Sequence, residues 1–238
     1  MSLLGAGEIR ELAAKLDLKP SKSLGQNFVI DANVCRKIVR TAGVASGDVA
    51  LEIGPGLGSL TLALMEEAAS VIAVEIDSRL ANQLPLTAAL HSDRSEILTV
   101  INQDALQVKS LPGDPTVLVA NLPYNVSVPV FLHLLEVLPT LRSGVVMVQA
   151  EVADRLAAKP NTKEYGIPSV KAAWWADVTG AGSVSRSIFW PAPNVDSKLV
   201  GFKRRETPGD ENLRKEVFAI IDLAFAQRRK MLRAALSS

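Results

Sequence analysis

From residue 48 onward, short apolar runs alternate with stretches of helical spacing. The runs are "VALEI" (49–53), "SVIAVEI" (70–76), "EILTVIN" (96–102), "TVLVA" (116–120) and "GVVMVQA" (144–150). Helical spacing fills 58–68, 78–90 and 127–138, and Pro129 falls in the first turn of the last of these, where its missing N–H costs nothing. A strand that is apolar at nearly every position is buried on both faces. Such strands alternating with helices predict an α/β fold with a mostly parallel, Rossmann-like sheet covered on both sides. Nearly half of the 238 residues are apolar, enough to fill that core.

The flanks read differently. Residues 6–17 have helical spacing, 18–30 are polar with Pro and Gly and read as loop, and Asp31 is placed to cap a helix over 32–43. After 150 come a short helix (151–158), the polar loop "AKPNTKEYG", and a helix over 168–175. "ADVTGAGSVS" and "SKLVGFKRR" follow as two strands, the antiparallel edge of the sheet. "RRETPGDEN" reads as a linker. Residues 211–236 form one or two amphipathic helices that cannot bury their apolar face alone. The expected division is a Rossmann-like domain over 1–206 and a helical unit beginning at 207–238.

Composition narrows the function classes. No apolar run reaches the roughly 20 residues of a membrane span, and the first residues carry acids without a continuous apolar core, so no secretory signal is expected. Cys35 is the single cysteine, and His91 and His133 are the only histidines. No metal site is expected, and the cysteine usage suits the cytoplasm. The net charge of +1 hides an asymmetry: residues 198–233 hold ten Lys/Arg against five acids. Arg228, Arg229, Lys230 and Arg233 cluster at its end, a pattern compatible with either a solvated face or a nucleic-acid contact.

The first strand runs into "LEIGPGLGSL" (51–60), with Gly54, Gly56 and Gly58 between strand and helix. Glycines there allow a sharp turn and close approach to a ligand. The second strand reaches Glu75, 21 residues beyond Gly54, where a carboxylate can accept from both ribose hydroxyls of an adenine nucleoside. NAD and S-adenosylmethionine both fit such a site. The loop is G-x-G-x-G rather than G-x-G-x-x-G, and it opens with Glu52. A carboxylate repels a pyrophosphate but suits a sulfonium and an ammonium, which favours S-adenosylmethionine. Asp104, after the third strand, can bond the adenine amino group or cap a helix.

The fourth strand ends at Asn121-Leu122-Pro123-Tyr124. Ligands in open α/β sheets bind at such carboxyl ends. The amino nitrogen of adenine is a poor nucleophile because its lone pair is delocalised into the ring. The Asn121 side-chain oxygen and the Leu122 carbonyl can accept its two hydrogens and expose that lone pair. Pro123 fixes the carbonyl direction, and Tyr124 can stack on the base.

The ordered set "KSLGQNFVID" (22–31), "LEIGPGLGSLT" (51–61), "VIAVEID" (71–77), "NQDAL" (102–106), "NLPYNVSVPV" (121–130), "YGIPSV" (165–170), "FWPAPNVDS" (189–197) and "AFAQRRKMLR" (224–233) resembles the rRNA adenine N6,N6-dimethyltransferases, of the bacterial kasugamycin-sensitivity type. The resemblance implies that Asn27, Val29, Gly54, Glu75, Asp104 and Asn121 contact S-adenosylmethionine, with Gln26 supporting the first loop. It implies that Asn121, Leu122, Pro123 and Tyr124 form the amine clamp, and that Phe189 packs on the opposite face of the target adenine. It implies a monomer that dimethylates two adjacent adenosines in the 3′-terminal hairpin of 16S rRNA within an immature small ribosomal subunit, with Arg228, Arg229, Lys230 and Arg233 on the RNA. The alternatives are a large-subunit adenine methylase of the macrolide-resistance type and a mainly non-catalytic assembly factor. Three departures stand out: Val128 where the family often has Thr, Asn194 where it often has Lys, and an end at Ser238 where members usually continue for several helices. The last makes 207–238 the expected start of a truncated RNA-binding unit.

Overall fold

The computed structural model describes residues 2–18 and 27–236. In chain order the elements are α1 (Ala6–Lys15), β1 (Phe28–Val29), α2 (Ala32–Ala42), β2 (Val49–Ile53), α3 (Ser59–Glu67), β3 (Ser70–Glu75), α4 (Ser78–His91), β4 (Leu98–Asn102), β5 (Val117–Asn121), α5 (Ser127–Val137), β6 (Ser143–Gln149), α6 (Ala150–Leu156), α7 (Ile167–Ala172), β7 (Ala176–Val184), β8 (Phe189–Trp190), β9 (Ser197–Arg204), α8 (Glu211–Ala226) and α9 (Leu232–Ala235). Asp31 caps α2 as its position predicts, accepting from the Asn33 and Val34 amides at 2.9 and 3.1 Å.

Seven strands form one sheet in the order β4-β3-β2-β5-β6-β9-β7. The pairs from β4 to β6 are parallel, and β9 pairs antiparallel with both β6 and β7. Alternate strand residues enter opposite faces, as the pleat requires. Ala50, Val71, Val119, Val145 and Leu199 join the core under α1, α2 and α3. Leu51, Ile72, Leu118, Val146 and Val200 join the core under α5 with Phe131, Trp174 and Trp175. This two-sided burial is the physical content of the unbroken apolar runs.

The chain moves outward from β2 through β3 to β4, then returns to the other side of β2 with β5. That reversal opens a crevice at the carboxyl ends of β2 and β5, where open α/β sheets bind ligands.

Two short strands, β1 and β8, were not legible. Residues 18–30 read as loop, and Gln26 lies outside the described residues, but Phe28 and Val29 form β1. It pairs antiparallel with β8, Phe28 opposite Trp190 and Val29 opposite Phe189. Two residues carry no period, and their partner lies far along the chain.

The C-terminal amphipathic pattern resolves into α8 and α9. Helix α8 docks through Phe218, edge-on to Trp174 and Trp175 with centroids 6.1 and 5.4 Å away. The Arg214 guanidinium lies over the Trp175 and Phe218 rings and pairs with Glu136 of α5 at 2.7 Å. The opposite face leaves Leu213, Ile220 and Leu223 exposed.

Candidate active site

The glycine loop links β2 to α3. Gly54, Gly56 and Gly58 have φ of +66°, +59° and +103°, a region that L side chains rarely adopt. Space enforces the choice as well. A Cβ on Gly56 would stand 3.0 Å from the Phe28 ring, and one on Gly58 would stand 2.8 Å from Leu84 Cδ1. The loop borders a cavity of about 930 Å³, its open mouth included, and this cavity lies at the crevice where the strand order reverses.

Seven of the predicted site residues meet on its wall: Asn27, Val29, Gly54, Glu75, Asp104, Asn121 and Pro123. Glu75, the last residue of β3, is 4 % exposed. Its Oε2 accepts from the Gly56 amide at 3.1 Å and its Oε1 from the Asp77 amide at 2.9 Å. Each oxygen has two lone pairs, so both retain capacity for a further donor. Burial raises the Glu75 pKa, against the pull of the Asp77 and Gly56 amides. Asp104 serves both readings of its position: Oδ1 caps the short turn at 105–107 by accepting from the Leu106 amide at 2.9 Å, and the residue also borders the cavity.

Glu52 corrects the charge argument made from the sequence. It borders the cavity but is 1 % exposed, and its Oε2 accepts from Thr61 Oγ1 at 2.6 Å. Burial, reinforced by nearby Glu75, pushes its pKa up to about 8, so it holds a proton at neutral pH in the ligand-free protein. It is a polar neutral group until a cation comes near it. Neither Glu52's protonation nor its Thr61 partner was readable from spacing.

Asn121 closes β5 and faces the loop. Its Nδ2 donates to the Asn27 carbonyl at 3.2 Å. A carbonyl only accepts, so this bond fixes which way the amide points. Asn121 Oδ1 is then left buried with no hydrogen-bond partner among the described residues. A buried unpaired acceptor costs about 1–3 kcal/mol, so it marks a place where a donor belongs. The turn is held on every side. The Leu122 amide donates to the Met147 carbonyl at 3.0 Å, and the Pro123 carbonyl accepts from the Val126 amide at 3.2 Å. The Leu122 side chain fills the core behind the turn. The Tyr124 hydroxyl shares a hydrogen bond with Ser197 Oγ at 2.8 Å.

Other predicted residues lie apart from the cavity wall. Phe189 is 3 % exposed, paired through its backbone with Val29 and packed in the core under α2. Arg228 donates to the Lys163 and Thr162 carbonyls at 2.7 and 3.4 Å, tying the end of α8 to the loop before α7. Arg229, Lys230 and Arg233 are exposed. The sequence reading missed Ser59, whose Oγ donates to the Val29 carbonyl at 2.6 Å and anchors β1 to α3, and it missed Ser197. The described residues contain no cluster of His, Cys, Asp and Glu able to hold a metal.

Comparison with known proteins identifies the family. The family described as "Ribosomal RNA adenine dimethylase" matches residues 18–238. A "Ribosomal RNA small subunit methyltransferase A" from Leifsonia xyli subsp. xyli is 63% identical over 239 residues, covering 100% of this chain and 85% of the relative. One of the same name from Streptomyces avermitilis is 61% identical, covering 99% and 81%. Among solved structures, a dimethyladenosine transferase from Plasmodium falciparum superposes with a TM-score of 0.76 at 28% identity, covering 89% of this chain and 75% of that one. The 23S rRNA methyltransferase ErmE superposes at 0.70 and 28% identity, covering 89% and 84%. The chain belongs to the ribosomal RNA adenine dimethylase family.

Proposed function

We propose that this protein transfers methyl groups from S-adenosylmethionine to the N6 amino groups of two adjacent adenosines in the 3′-terminal hairpin of 16S rRNA, within the immature small ribosomal subunit in the cytoplasm. The observation that carries the reading is the buried Asn121 Oδ1, fixed in direction and lacking a donor among the described residues. The quoted relatives at 63% and 61% identity carry a small-subunit name, whereas the large-subunit enzyme ErmE is 28% identical; this favours the small-subunit substrate.

The cavity residues fit S-adenosylmethionine. Glu75 has lone pairs free for ribose hydroxyls, Asp104 stands near for the adenine amine, and Gly54 and Gly56 border the cavity with bare backbone. When bound, this cofactor supplies an electrophilic methyl group on a sulfonium. The chain's own task is to present the nucleophile. For the first methyl, Asn121 Oδ1 and the Leu122 carbonyl accept the two amine hydrogens, drawing the nitrogen out of conjugation; for the second, one of them holds the remaining N–H, and each time the alkylated nitrogen sheds one proton to solvent. Pro123 stiffens the turn that aims them. Tyr124 stacks on the base, worth about 1–3 kcal/mol. Alignment of this kind supplies most of the acceleration, and no strong base is needed. The histidines agree: His91 shares a hydrogen bond with Ser2, His133 bonds the Val108 carbonyl, and neither borders the cavity.

We read residues 1–206 as the methyltransferase domain and the segment from 207 onward as helical and RNA-docking, with Arg229, Lys230 and Arg233 on the RNA. Incubation with tritiated S-adenosylmethionine tests the activity. Immature small subunits should incorporate label and large subunits should not; label in large subunits alone would overturn the reading.

A further inference from the structure

Tyr124 stands in the turn after β5, half-buried, with its hydroxyl 2.8 Å from Ser197 Oγ. Ser197 opens β9, across β6 from β5. It is 0 % exposed, and its backbone is in register with Gln149 of β6 on one side and Val184 of β7 on the other. The segment before it is also tied down. The Asp196 carbonyl accepts from the Ala150 amide at 2.9 Å, the Asp196 carboxylate pairs with Arg186 Nε at 2.9 Å, and Arg186 Nη1 donates to the Asn194 carbonyl at 3.2 Å. The serine hydroxyl is therefore held at a fixed point in the sheet.

A tyrosine ring has two soft torsions, and a half-buried ring with its tip in water samples several orientations. A hydroxyl bonded to a fixed partner removes that freedom, and stacking on a base requires one ring plane. We propose that Ser197 is a positioning residue for methyl transfer: its hydroxyl holds the Tyr124 ring in the plane that packs on the target adenine. This rests on the reading of Asn121 to Tyr124 as the amine clamp. Ser197 touches neither adenine nor cofactor in this account; it acts through Tyr124.

The test is a double-mutant cycle on the full chain with immature small subunits, using Ser197→Ala, Tyr124→Phe and the double variant. Tyr124→Phe keeps the ring and removes the same hydrogen bond from its other end. Each single variant should lower kcat by about three- to tenfold, the loss expected for one orienting hydrogen bond. The double variant should be no slower than either single one, because both remove one interaction. Affinity for S-adenosylmethionine should stay at the wild-type value. Tm should fall by a few degrees where a buried hydroxyl loses its partner, so kcat is compared at a temperature at which every variant is fully folded. Multiplying effects in the double variant, an unchanged kcat in Tyr124→Phe, or a loss in Ser197→Ala that vanishes where that variant is fully folded would each overturn the proposal. Should Ser197→Ala fail to fold, Tyr124→Phe alone decides through its kcat. Asn121→Ala serves as the control for the clamp. If it retains full methylation, the clamp reading itself fails; if it is inactive while Ser197→Ala and Tyr124→Phe match wild type, only the role of Ser197 falls.

Discussion

Glu52→Gln isolates the buried acid behind the cofactor cavity. Gln keeps an oxygen to accept from Thr61 Oγ1, now 2.6 Å from Glu52 Oε2, and it cannot ionise. In the folded chain burial, with Glu75 adding, raises the Glu52 pKa from 4.5 to about 8. Between those values the folded state binds more protons than the unfolded one, so stability falls as pH rises. The contribution is fully present below about pH 4.5 and is lost as pH passes through 8. The slope is about 1.4 kcal/mol per pH unit in that window, or roughly 3 kcal/mol between pH 6 and 9. That is a large share of the 5–15 kcal/mol typical of a domain. Urea unfolding of both proteins at pH 6, 7, 8 and 9, followed by tryptophan fluorescence, reads the difference directly. The Gln variant should gain roughly 3 kcal/mol relative to wild type across that range, with most of the gain complete by pH 8. A difference that stays constant within about 0.5 kcal/mol, or one that shrinks with pH, would show that Glu52 is charged in the fold.

Two further outcomes follow from the site and the basic end of α8. Glu75→Ala should weaken S-adenosylmethionine binding by about 10- to 100-fold, the loss of hydrogen bonds to a charged acceptor, measured by titration calorimetry; unchanged affinity would remove Glu75 from the ribose. Replacing Arg229, Lys230 and Arg233 with Gln should lower the slope of log K against log salt for RNA binding by about two to three. Arg228 stays wild type in that test because its guanidinium holds the Lys163 and Thr162 carbonyls. A salt slope equal to wild type would make these residues a solvated face.

The sheet was legible because its strands are apolar on both faces, a pattern that a strand with one face in water does not produce. The edge strands were legible because "ADVTGAGSVS" and "SKLVGFKRR" follow without a crossover helix between them. Gly54, Glu75, Asp104 and Asn121 could be assigned to one site because strand ends next to a change in strand order share a crevice. What stayed hidden depends on partners far along the chain. The amide of Asn121 is oriented by Asn27, 94 residues away, through a ribbon of two residues a side. Glu52 read as a charge because burial is invisible in a motif; its neutrality comes from the core around it. Phe189 followed the family resemblance onto the target base, yet here it is a buried residue opposite Val29. Arg228 counted as one of a basic cluster, and its carbonyl partners could not be foreseen from charge alone.

On the proposed mechanism, Asn121 Oδ1 waits for an adenine amine. Immature small subunits incubated with S-adenosylmethionine and either wild-type protein or Asn121→Ala, followed by mass spectrometry of the 16S rRNA 3′ end and a parallel subunit-binding assay, test it most directly. Wild type should leave two adjacent N6,N6-dimethyladenosines. Asn121→Ala should bind the subunit within about twofold of wild type and methylate at least about a hundredfold more slowly, as for removal of a preorganised transition-state contact. Equal losses of binding and methylation, or dimethyladenosine formed at the wild-type rate by the variant, would mean that Asn121 does not present the amine.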